Sequence, residues 1–79
     1  GSQDVEKQYE QKELVEAINS YLYELPERDR NIFIRRYFHA EETSLIAKRY
    51  GIKESNVLVI LSRTRKKLHI FLKEEDFIS

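Results

Sequence analysis

The chain contains no cysteine and no methionine, and its 79 residues include only two glycines and one proline. Without cysteine no disulfide can brace the fold. His39 and His69 stand far apart, with no cluster of further ligand residues around either, so no structural metal is expected to do so instead. Absence of cysteine also suits a reducing compartment. A complete translation product begins with methionine unless it is processed, so the chain is expected to be a fragment of a longer protein. Gly1-Ser2 reads as the remnant of a cleaved purification tag. With so few glycines there is no glycine-rich phosphate loop. Ser44, Ser55 and Ser62 lack an adjacent histidine base with an orienting carboxylate. No catalytic residue, cofactor or small-molecule substrate is therefore expected. No apolar run approaches the roughly 18 to 20 residues that a membrane span requires, and no signal-peptide pattern is present.

The length fits one domain at most, near the size where a single core leaves only a few kcal/mol of net stability. Packed side chains must hold it unaided. Formal net charge is zero, which taken alone argues against a nucleic-acid partner. Its distribution argues the other way. Residues 1–29 carry eight acids against three bases, a balance of minus five, whereas residues 30–73 carry eleven bases and only Glu41, Glu42 and Glu54. Glu74, Glu75 and Asp76 restore neutrality. A field segregated in this way attracts a polyanion at one face and repels it at another.

Hydrophobic spacing is helical nearly throughout. Leu14, Ile18, Leu22 and Leu25 fall at intervals of three and four, predicting a first helix from about Val5 to Tyr23. The stretch 3–13, with Val5 and Tyr9 its only apolar residues, reads as an N-terminal extension or frayed helix start ahead of a domain over 14–79. Pro26 suits the first turn of a second helix, with Glu27 and Asp29 near the positive end of its dipole. That helix is predicted over Glu27–His39. Ile32, Phe33, Ile34, Tyr37 and Phe38 occupy more than one stripe, which makes it central to the core. The tyrosines and phenylalanines are expected in the core or at its edge, and the two histidines at the surface. Glu41-Glu42-Thr43-Ser44 reads as a loop with capping candidates, followed by a short helix from Thr43 or Ser44 to Tyr50 that Gly51 ends. A fourth helix is predicted from Lys53 or Glu54 to about Leu72, with Val57, Leu61, Thr64, Leu68 and Phe71 or Leu72 inward. Arg63, Arg65, Lys66 and Lys67 stand outside that stripe. The fold class is thus all-α, four helices with a long C-terminal one.

The third helix, a turn containing Gly51 and the fourth helix form a helix-turn-helix pattern. Glycine permits the reversal, Ile52 plugs the corner, and Ala47 is small enough for the last helix to cross close by. An α-helix fits the major groove of B-DNA, so the opening turns of the fourth helix, Lys53, Glu54, Ser55, Asn56, Leu58 and Val59, are the candidate reading surface. Asn56 can pair with adenine, Glu54 can accept from cytosine, Lys53 can donate to guanine or phosphate, and Val59 can touch a thymine methyl. Arg63 and Lys66, with Arg35, Arg36 and Lys48, are candidate phosphate contacts. The bland alternative stays open on spacing alone. Basic residues along a long helix also serve as a plain solvated face, and glycine-centred turns join helices in bundles that never meet DNA.

Taken in order, Leu25-Pro26-Glu27-Arg28-Asp29-Arg30, Ile32 to Phe38, Ile46-Ala47, Tyr50-Gly51-Ile52, Val57 and Leu61 to Leu68 closely resemble region four of bacterial RNA polymerase sigma factors. The likeness is strongest to the small factors of the extracytoplasmic-function type, and it spans about Leu14 to Glu74 without gaps. This resemblance implies a cytoplasmic, bacterial C-terminal domain. Such a domain recognises the minus-35 element of double-stranded promoter DNA and grips the β flap of core RNA polymerase. By position, base-facing sites fall on Glu54, Ser55 and Val59, and backbone-facing ones on Lys53, Asn56, Leu58 and Arg63.

The sequence also departs from that family. Leu58 and Ile60 stand where such factors usually or often carry a basic residue, and Val57 to Leu61 make five consecutive apolar positions. One helix face cannot bury them all. Three readings remain: contact that leans on thymine methyls, a protein interface at Leu58–Ile60 for an anti-sigma factor or a second copy, or simple packing of Ile60 with Leu58 an isolated exposed residue. A response-regulator-type output domain shares the turn but accounts less well for Leu25-Pro26-Glu27-Arg28.

Overall fold

The computed structural model describes residues 2–78, with side chains from Glu10 onward. Gly1 of the expected tag remnant and the side chains of Val5 and Tyr9 lie outside the described residues. The regular structure among the described residues is wholly helical: α1 (Ser2–Glu24), α2 (Glu27–Tyr37), α3 (Thr43–Tyr50) and α4 (Glu54–Glu74).

One core joins the four helices, and α4 packs against each of the other three. Ile32, Ile46, Val57 and Leu61 are fully buried, and Leu22, Phe33, Ala47 and Ile60 join them. Burying each large side chain of this set stabilises the fold by about 1.5–3 kcal/mol before entropy is counted. The stripe predicted on α1 is the one that packs, since Ile18 and Leu25 lie against this core beside Leu22. On α4 the predicted inward residues Val57, Leu61 and Thr64 are buried and Leu68 packs against them.

α2 starts at Glu27 as predicted, but the place of Pro26 and the end of the helix differ from expectation. Pro26 is not in the first turn but precedes it, with ψ 142°. Its carbonyl accepts the first helical hydrogen bond, from Arg30 N at 3.0 Å. Its missing donor is harmless there as well. The helix stops at Tyr37 rather than His39 because Ala40 takes φ +53°, in the left-handed region. Glycine is the default residue for such a turn and none is present, so the sequence carried no stop signal.

Not all of the aromatic residues lie where expected. Phe38 falls beyond the helical stripe and is 62% exposed; Tyr37 is 45% and Tyr23 79% exposed. The expectation of core or core-edge positions therefore fails for Phe38 and Tyr23. Tyr37 leans on Phe33 with ring centroids 4.7 Å apart, and Tyr23 lies under the guanidinium of Arg30 at 5.3 Å.

Candidate nucleic-acid interface

The turn between α3 and α4 is a complete helix stop. Gly51 has φ +64°, its amide reaches back to Lys48 O at 3.3 Å, and Ile52 N donates to Ala47 O at 3.0 Å. These paired bonds satisfy carbonyls that the helix end would leave bare. A Cβ added at Gly51 would meet nothing within 4 Å, so backbone conformation and not crowding calls for glycine there. Ile52 packs against the core as the corner plug predicted for it.

The turn releases α4 with its opening residues outward. Lys53 precedes the helix in an extended conformation, and no side chain caps it. Lys53, Glu54, Ser55, Asn56, Leu58, Val59, Arg63 and Lys66 are all exposed, while Val57, Ile60, Leu61 and Thr64 face inward. The residues expected from sequence to face outward on α4 are thus solvent-exposed.

It also divides the apolar run. Ile60 is only 8% exposed and belongs to the core, whereas Leu58 is 52% and Val59 45% exposed. The surface suggested for Leu58–Ile60 is therefore confined to its first two residues. Asn56, Val59 and Arg63, at helical spacing, line a shallow depression with Ile52, Ile60 and Arg28 of α2. Arg28 belongs to the motif that carries the family resemblance but is not among the DNA contacts expected from sequence.

The candidate phosphate contacts are placed less simply. Arg35 is engaged within the molecule, donating to Glu41 Oε2 and to the Tyr50 hydroxyl, each at 3.4 Å. Arg36 donates to the Glu41 carbonyl oxygen at 3.2 Å, and Arg49 of α3 donates to Glu41 Oε1 at 2.9 Å from Nη2. Glu41 thus gathers three arginines across the turn joining α2 to α3. The Arg49 hydrogen bond above all, with help from Arg35 and against partial burial, holds the Glu41 carboxyl below its ordinary pKa. Hydrogen bonding to Tyr50 is the main reason that the Arg35 pKa is raised in turn. Lys48 is exposed on α3.

Two further residues escaped the sequence reading. From sequence Thr43 is only a candidate cap or helix start. It is the first residue of α3, preceded by Glu42 in the cap position, and its hydroxyl donates to Glu54 Oε1 at 2.7 Å. Glu41 was read as loop. No local pattern could flag either one, because their partners stand on other elements.

Among the described residues no group of histidine and acidic side chains could hold a metal ion, and no helix is long and apolar enough to cross a membrane. A family model described as "Sigma-70, region 4" matches residues 15–68. No curated protein and no solved structure matches the chain.

Proposed function

The chain belongs to the sigma-70 region 4 family, and from that premise we propose that it reads the minus-35 element of promoter DNA with the opening turns of α4. It does so as the C-terminal domain of a sigma factor of the extracytoplasmic-function type, in the bacterial cytoplasm, with core RNA polymerase bound through its β flap. The domain acts by binding and positioning, without catalysis.

The observation that carries this reading is the exposure of Lys53 to Asn56, Leu58 and Val59 on a helix whose Val57, Ile60 and Leu61 are buried. A helix anchored along one face offers the other to the major groove. There Glu54 accepts from a cytosine amino group, Asn56 pairs with adenine and Val59 meets a thymine methyl, each good base contact contributing about 1–3 kcal/mol of discrimination. Arg63 and Lys66 neutralise phosphates farther along the same rod, with Lys53 and Lys48 as further phosphate contacts. Arg35 and Arg36 serve as phosphate contacts only to the extent that Glu41 shares them.

Titration of the chain with promoter-bearing duplexes at several salt concentrations tests the reading. Affinity is expected to fall steeply and linearly on a double-logarithmic plot. Binding that is absent, or indifferent to salt, overturns it. A second reading rests on Leu58, which is 52% exposed beside Val59: the same face meets an anti-sigma factor or a second copy. A concentration-dependent dimer abolished by Leu58→Lys would favour that reading.

A further inference from the structure

A glutamate at the mouth of a DNA groove poses a physical problem. Phosphates repel its charge, and its flexible side chain must be ordered before it can select one base. Selectivity of that kind depends on a carboxylate held in place beforehand, since a loose side chain loses conformational freedom on binding.

Glu54 is held in this way. Its Oε1 accepts a hydrogen bond from the Thr43 hydroxyl at 2.7 Å, across the junction between the first residue of α3 and the first residue of α4. Thr43 is half-buried and Glu54 exposed, so the anchor sits on the packed side and the carboxylate on the solvent side. Threonine is branched at Cβ and stiff at χ1, so its hydroxyl has little freedom to wander. An ionised carboxylate is a multiple acceptor, and one hydroxyl leaves the second oxygen able to accept again. The positive end of the α4 dipole steadies the charge.

We propose that Thr43 is a positioning residue for base readout: its hydroxyl fixes the Glu54 carboxylate with one oxygen presented to the exocyclic amino group of a cytosine. This rests on the promoter-reading assignment of α4. It adds that selectivity at one base pair is set by a residue of α3 that itself touches no base. The physical gain is that Glu54 is ordered when the domain folds and not when DNA arrives.

The test compares the native chain with Thr43→Val, which keeps the shape and loses the donor, Thr43→Ser, which keeps the donor, and Glu54→Ala. Each is used to select from a pool of duplexes randomised through the binding site, and its salt dependence and thermal stability are measured alongside. Glu54→Ala is expected to abolish a cytosine preference at one position. Thr43→Val is expected to weaken the same preference roughly five- to tenfold, the scale of part of one good base contact. Thr43→Ser should retain the preference, and neither Thr43 variant should change the salt slope. If Glu54→Ala removes the preference and Thr43→Val leaves it intact, the positioning role is overturned while the reading of α4 stands. If Glu54→Ala changes no preference, the base contact and the positioning role fall together. A Thr43→Val variant that loses affinity uniformly at every base pair, in step with lost stability, makes the hydrogen bond a brace between helices and overturns the proposal.

Discussion

Arg49 Nη2 lies 2.9 Å from Glu41 Oε1, so a residue of the turn after α2 is tied to the last turn of α3. Arg35 approaches the other carboxylate oxygen at 3.4 Å, and the Glu41 side chain is only 14% exposed while both arginines reach solvent more freely. The arrangement ties α3 to the turn after α2, and so bears on where α4 starts.

A pH dependence follows from that contact. Because the carboxyl is held below its ordinary value of 4.5, the folded state binds the Glu41 proton less readily than the unfolded chain does. Its contribution to stability is therefore complete above that value and is lost as the pH falls through the lower, folded one. Glu41→Gln removes the contribution. Thermal melts followed by circular dichroism should show the variant melting below the native chain at neutral pH, with the gap closing as both are acidified. A gap that stays constant into strong acid would mean that the carboxylate charge contributes nothing.

Two residues with nearly the same backbone angle should respond to opposite substitutions. Gly51 has φ +64° and Ala40 has φ +53°. A side chain in this region costs about 1–2 kcal/mol. Gly51→Ala should destabilise by about 1 kcal/mol, with no steric addition because the space around it is open. Ala40→Gly relieves the same strain but makes the unfolded chain freer, leaving a net gain of about 0.5 kcal/mol. Urea denaturation of both variants checks the signs. If both destabilise, Ala40 is not strained.

Those two positions also explain what could be read from sequence. Gly51 announced the helix stop because glycine is the residue that such a turn prefers, and the spacing of Val57, Leu61 and Thr64 announced the buried face of α4. Ala40 announced nothing, so the second helix was extended onto Phe38 and His39, and Phe38 was assigned to the core. The outward place of Lys53 to Asn56 follows from the turn at Gly51 and that of Arg63 and Lys66 from helical periodicity, whereas the fates of Leu58 and Ile60 stay open in the sequence. The Thr43–Glu54 and Glu41–Arg49 contacts are not legible there, because hydrogen bonds between separate elements depend on how helices cross, which no local spacing encodes.

Tyr21 offers a substitution that should stabilise the domain. Its ring packs near Phe71, with centroids 5.4 Å apart, but its hydroxyl is buried with no hydrogen-bond partner among the described residues. Burial alone pushes its pKa up. Tyr21→Phe keeps the ring contact and removes an unpaired polar group, which should raise stability by about 1 kcal/mol. Denaturant midpoints at equal m-value measure this. A loss of stability would reveal a partner for the hydroxyl, such as a bound water.

Leu58 and Ile60 stand two positions apart in one apolar run, yet α4 turns them to opposite fates. At about 100° per residue, Val57, Ile60, Leu61 and Thr64 share the inner face and Leu58 is carried outside. Ile60→Ala should therefore cost about 2–4 kcal/mol, a large part of what a domain this small possesses. Leu58→Lys should change stability by less than about 0.5 kcal/mol. On DNA the proposed function reverses the order: the lysine adds a charge to the exposed face of α4, so Leu58→Lys should tighten binding and steepen the salt slope by about one. Parallel melts and salt titrations of the two variants separate packing from contact. If Leu58→Lys unfolds the chain, Leu58 does not face solvent and the outward placing of this turn of α4 is wrong; if the variant folds but leaves DNA binding and its salt slope untouched, Leu58 does not lie beside phosphate.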